Sequence, residues 1–156
     1  CASAANRQLL KEALPFPKEA IMHDWWLALV ASISGRICYR NQALVKYRQH
    51  DSNTIGASGF WQGLNPARNW REGWAEGNEE FLATFSQAEA LLARKSHQGS
   101  WSSSKLSVLV KYVTLLEGPV RQRISVAREL GLRHGSIVVR CIFWLRLLTI
   151  RADHPK

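Results

Sequence analysis

Several things are scarce in this chain. Only three of its 156 residues are cysteine, Cys1, Cys38 and Cys141, and no two sit at Cys-x-x-Cys spacing. An odd, scattered set argues against a disulfide framework or a zinc knuckle and fits a reducing compartment. Acidic residues are also few, 12 against 21 Lys and Arg, so the formal net charge is +9. No run of 18 or more uncharged apolar residues occurs. The best stretch, Ser136 to Ile150, is interrupted by Arg140 and Arg146, which rejects a membrane-spanning helix. The opening Cys1-Ala2-Ser3-Ala4-Ala5 lacks both an initiating Met and the basic-then-apolar layout of a signal peptide. The expectation is a sequence that starts inside a longer protein.

Tryptophan, by contrast, is plentiful. Seven in 156 residues imply large amphipathic surfaces that serve a core, a partner or a membrane. Charge is uneven along the chain. Residues 1–50 carry seven basic and three acidic groups, residues 51–100 four and six, and residues 101–156 ten and three. The positive excess thus gathers toward the C-terminal end, where it points to an anionic partner. Nucleic acid is not the partner expected, because no binding motif accompanies the charge.

Local patterns divide the chain in two. Asn6 caps a short helix over Arg7 to Leu14, which Pro15 and Pro17 terminate. Asp24 is the expected N-cap of a helix over Trp25 to Ser34, closed by Gly35. Ile37 and Tyr39, then Leu44, Val45 and Tyr47, read as short strands about an Asn41-Gln42 turn. Beyond a Gly/Ser/Asn-rich loop at Ser52 to Gly63 the pattern is helical. Trp70, Trp74, Phe81, Leu82, Phe85 and Leu92 recur at three- and four-residue steps from Asn65 to about Lys95, with Gly73 and Gly77 as weak points that could split the helix. Further helices are expected over Ser102 to Glu117, Pro119 to Leu130 and Ser136 to Arg151. The architecture expected is therefore α+β, mostly helical: an α/β portion with two or three short strands, then an all-helical extension.

The chemistry-bearing residues cluster early. An Asp at a helix start has its ionised form favoured by backbone N–H groups, and such an Asp is most often a structural cap. It can also serve as a general base if one oxygen faces a cleft. His23 beside it can orient an acceptor hydroxyl, although a His before a helix is commonly a surface residue. Trp25 and Trp26 diverge by about 100° on a helix, so that one enters the core while the other can line a sugar site. Arg48 can neutralise phosphate, His50 can ligate a divalent ion, and Asn53 lies in a polar loop suited to closing over a ligand. Taken singly, Arg48 and His50 read more readily as solvated residues at a strand end, and a polar loop without function would look the same as the one that holds Asn53.

Taken together, Cys1-Ala2-Ser3-Ala4-Ala5-Asn6-Arg7, Leu14-Pro15-Phe16-Pro17, His23-Asp24-Trp25-Trp26 and Tyr47-Arg48-Gln49-His50-Asp51-Ser52-Asn53 follow one another within some sixty residues. This order resembles the C-terminal half of the catalytic domain of family 2 glycosyltransferases, particularly bacterial rhamnosyltransferase-type enzymes. The resemblance implies a GT-A fold with its C-terminal portion over residues 1–57 and a helical extension over 58–156. It also implies an inverting displacement on a nucleotide-diphosphate sugar, with a glycan or polyprenyl-linked acceptor and Asp24 as the base. A divalent metal, Mg or Mn, is implied too. His50 matches a histidine that touches metal or diphosphate, whereas the main ligands, an Asp-x-Asp motif, would lie upstream of residue 1. The corresponding location is cytoplasmic, on the inner face of the plasma membrane, in polysaccharide biosynthesis. A homodimer would cover apolar surface left by the absent half.

The last helix carries a separate expectation. Apolar residues cover most of its circumference, with arginines along it. Such a helix either lies in a membrane interface, with Trp144 at headgroup depth, or packs into a core or dimer with its arginines reaching water. The alternative function is accordingly a non-enzymatic interaction or membrane-surface docking module.

Overall fold

The computed structural model describes residues 3–43, 70–94, 101–132 and 136–150. These form six α-helices: α1 (Arg7–Ala13), α2 (His23–Ser34), α3 (Trp70–Arg94), α4 (Ser103–Val113), α5 (Val120–Glu129) and α6 (Ile137–Thr149). A 3-10 turn, Thr114–Leu116, continues α4. No strand occurs among the described residues, which overturns the α+β expectation. Residues 36–43 lie outside any helix, and Ile37 and Tyr39 are 61% and 87% exposed. Their β-branched and aromatic character gives them strand propensity. Propensity alone does not hold a strand, however, because an unpartnered ribbon is marginal in water and no sheet edge is offered to this one. Leu44, Val45 and Tyr47 lie outside the described residues.

Capping sets the first two helices. Asn6 Oδ1 accepts from the Leu9 N–H at 2.8 Å, satisfying one orphan donor at the start of α1. The peptide Leu14–Pro15 is cis, and the chain turns there toward α2. Helix α2 starts two residues earlier than expected. The Met22 carbonyl already accepts from Trp26 N–H at 2.9 Å, so Met22 is the N-cap and Asp24 lies inside the first turn. Gly35 closes the helix as its C-cap.

The longest element, α3, runs unbroken for 25 residues, about 38 Å at 1.5 Å per residue. Gly73 and Gly77 do not split it. A Cβ at Gly77 would sit 1.9 Å from Arg146 Nη2, so the missing side chain lets the α6 guanidinium lie against the helix, over the Trp74 ring at 5.2 Å. This packing offsets the glycine penalty of about 1 kcal/mol. Burial lowers the Arg146 pKa, and the Glu80 carboxylate acts in the opposite direction.

Two apolar clusters lie along α3. In the first, Ala13, Trp26, Val30 and Ile33 from α1 and α2 meet Ala88 and Leu91 of α3 and Leu109 of α4. In the second, Phe85 of α3 meets Leu115, Leu116, Ala127, Phe143 and Leu147. The ring of Phe85 stacks on Tyr112 at 4.7 Å, while Phe81 meets both Phe85 and Phe143 edge-on. The first cluster therefore draws on both sides of position 57.

Helix C-termini are closed by cations from elsewhere in the chain. Arg94 donates to Glu12 O (3.1 Å), Ala13 O (2.9 Å) and Pro15 O at the end of α1. Lys105 donates to Ile33 O and Gly35 O at the end of α2. Arg123, buried at 9% exposure, donates to Gly118 O (2.8 Å), Leu147 O (3.3 Å) and Ile150 O (2.5 Å), closing α6. Each cation faces the negative end of a helix dipole and satisfies carbonyls that the helix itself leaves unpaired. Lys111 pairs with Glu129. Part of the positive excess in the sequence is therefore architectural.

A candidate site at the N-terminal tip of helix α2

The tip of α2 presents His23, Asp24 and Trp25 around a fixed anchor. That anchor is Trp26, 0% exposed, whose Nε1–H donates to the Ala13 carbonyl at 2.9 Å while its ring lies under the Arg94 guanidinium at 5.0 Å. One residue earlier, 100° around the helix, Trp25 is 51% exposed. The tandem pair thus divides its labour by geometry: one indole fixes the helix and the other faces water.

Asp24 is half-buried, and its Oδ1 accepts from the Trp25 N–H at 2.9 Å. That bond leaves the second carboxylate oxygen without a backbone partner among the described residues, at the positive end of the helix dipole. His23 is exposed beside it. The segment leading into the tip is held as well: Ile21 N–H donates to Oε1 of Gln87, a 6%-exposed side chain on α3, at 3.0 Å. With Arg94 on the Pro15 carbonyl, α3 grips the segment before Asp24 at two points.

Gln87 and Arg94 went unnoticed in the sequence. A polar residue in mid-helix and a basic one in a last turn both look like ordinary solvent-facing positions, and nothing local distinguishes them. Only the approach of α1 and α2 gives their polar groups partners.

Of the other residues singled out, Arg48, His50 and Asn53 lie outside the described residues. Among the described residues no group of three His, Cys, Asp or Glu side chains comes together to hold a metal ion. The side chains at the α2 tip supply one carboxylate and one imidazole, which by themselves do not amount to a divalent-metal donor set. What the arrangement can do is hold a carboxylate at a helix mouth, with an exposed indole on one side and an imidazole on the other. That suits proton removal from a hydroxyl whose carbon skeleton rests on an aromatic face.

No protein-family model, curated protein or solved structure matches the chain. Among the described residues, no helix is long and apolar enough to cross a membrane.

Proposed function

We propose that the chain is the C-terminal part of an inverting glycosyltransferase that uses a nucleotide-diphosphate sugar, with Asp24 as general base. The observation that carries the reading is the ordered set of four sequence motifs, with the acidic one at a helix tip whose carboxylate is half-exposed and held at one oxygen. In the proposed step Asp24 takes the proton from an acceptor hydroxyl as its oxygen bonds to the anomeric carbon. The bond from that carbon to the diphosphate oxygen breaks on the opposite face, and the diphosphate leaves with the electron pair. His23 orients the acceptor, and Trp25 offers its face to the C–H side of a sugar ring. Trp26, sealed in the core, acts as the anchor of the helix and does not touch the sugar. The acceptor, a glycan or a polyprenyl-linked sugar, approaches from the Trp25 side; the roles of Arg48 and Asn53 in substrate binding, and of His50 at metal or diphosphate, rest on the sequence alone.

The test is Asp24→Asn in the full-length protein, assayed by nucleoside diphosphate release from a panel of nucleotide-diphosphate sugars with an acceptor glycan. Loss of a positioned base lowers turnover by about 10²–10⁴-fold. Donor binding and the melting temperature stay close to wild type, because the side chain touches only its own helix. Turnover retained in Asp24→Asn removes this carboxylate from the chemistry.

A further inference from the structure

Helix α6 buries one face and leaves a second apolar face exposed. Phe143 and Leu147 belong to the second core cluster, and Ile150, the C-cap residue, is also buried. Val138, Cys141, Leu145 and Leu148 recur at steps of three and four residues, which places them on one stripe, joined at its N-terminal end by Ile137. All five are exposed: Ile137 at 72%, Leu145 at 49% and Leu148 at 41%. A helix that only packed into a core would not carry this second stripe.

Beside the stripe lies an open groove of about 430 Å³, lined by Ala127, Arg128, Gly131, Leu132, Arg140 and Trp144. Two guanidinium-bearing residues thus share one concavity with an indole at the border of an apolar surface. The helix contains no Asp or Glu. Glu129, next to Arg128 in sequence, is held by Lys111.

We infer that this face of α6 docks on an anionic lipid bilayer, with the stripe at acyl-chain depth and a lipid phosphate in the Arg128–Arg140 groove. The layering carries the choice of occupant. An interfacial helix needs an apolar stripe, an indole at the boundary and arginines at headgroup level, and these occur here on adjoining surfaces. A second copy of the chain is the poorer match. Two-fold pairing through the stripe would bury its apolar side chains alone and make no use of the adjoining groove that carries Arg128, Arg140 and Trp144. The inference stands apart from the glycosyltransferase reading, since it uses no residue of the α2 tip.

The experiment is co-sedimentation of the whole chain with phosphatidylcholine vesicles and with phosphatidylcholine–phosphatidylglycerol vesicles, backed by sedimentation velocity without lipid. The expected result is binding to the anionic vesicles that weakens with salt. Arg128→Gln and Arg140→Gln each weaken it about fivefold. The exposed pair Leu145→Asp/Leu148→Asp abolishes binding with an unchanged melting curve. Three results overturn the inference. One is no binding to anionic vesicles, and another is binding indifferent to the Leu145→Asp/Leu148→Asp pair. The third is a dimer in solution that the same pair converts to monomer.

Discussion

Removing the head of Arg94 tests how the two sides of the first core cluster are joined. In Arg94→Met the apolar stem is kept and the guanidinium is lost, together with its bonds to the Glu12, Ala13 and Pro15 carbonyls and its stacking over Trp26. Glu12 and Pro15 lie near the surface, where water replaces the lost donor, so only the bond at fully buried Ala13 counts at full strength. A charged hydrogen bond of about 1.5–3 kcal/mol plus a cation–π term of about 0.5–1 kcal/mol gives a loss of roughly 2–4 kcal/mol. At this chain size that is a fall in melting temperature of about 4–16 °C.

The sharper readout is a double-mutant cycle with Trp26→Phe. The Ala13 carbonyl accepts from both Trp26 Nε1 and Arg94 Nη1, each at 2.9 Å. Either single variant leaves it one donor, whereas the double variant leaves it none, in a place water does not reach. An unsatisfied buried carbonyl costs about 1–3 kcal/mol beyond the single losses. The cation–π contact works weakly the other way, since Arg94→Met removes it while Trp26→Phe keeps a smaller aromatic face under the guanidinium, so it subtracts at most about 0.5 kcal/mol. The cycle should therefore show a net coupling of about 1 kcal/mol, with the double variant worse than additive. Urea titrations at constant slope measure it. Additivity within about 0.5 kcal/mol, or an Arg94→Met melting point within about 2 °C of wild type, would refute the shared-carbonyl argument.

Two further outcomes follow from the same packing. Gly77→Ala should fail to deliver the helix-propensity gain of about 1 kcal/mol, because its Cβ displaces the Arg146 guanidinium from Trp74; the gain should return in an Arg146→Ala background, as thermal melts of the four proteins will show. Burial raises the Tyr112 pKa, with its hydrogen bond to Thr84 acting in the lowering direction. A raised folded-state pKa means stability that is intact below the unfolded phenol value of about 10 and falls as pH climbs from there through the folded value. Tyr112→Phe should remove that alkaline loss, so urea midpoints of the two proteins should converge as pH is raised above about 10; parallel pH profiles would count against it.

Among the described residues, much of the helical layout was legible in the sequence because its signals are local. Asn6, Gly35 and Pro119 punctuate the chain through backbone chemistry that each residue carries with it, and the aromatic steps of α3 announce its buried face. The same locality explains the failures. Ile37 and Tyr39 have strand propensity, but a strand exists only with a partner, and none is present among the described residues. Asp24 has the chemistry of an N-cap, yet the helix begins at His23 because the burial of Trp26 and its backbone bond to Met22 set the register. Gly77 looked like a breaker and became a seat for Arg146.

The tandem tryptophans and the acid beside them were visible from composition and spacing, as was the amphipathic excess of α6. Which indole would be sealed, which cations would close helix ends, and which face of α6 would stay bare were decided by tertiary structure alone. A side chain's type fixes the contacts it can make. Whether Arg94 or Arg123 meets water or an orphan carbonyl depends on residues tens of positions away, and that proximity is set by burial of the apolar clusters, not by anything in the local sequence.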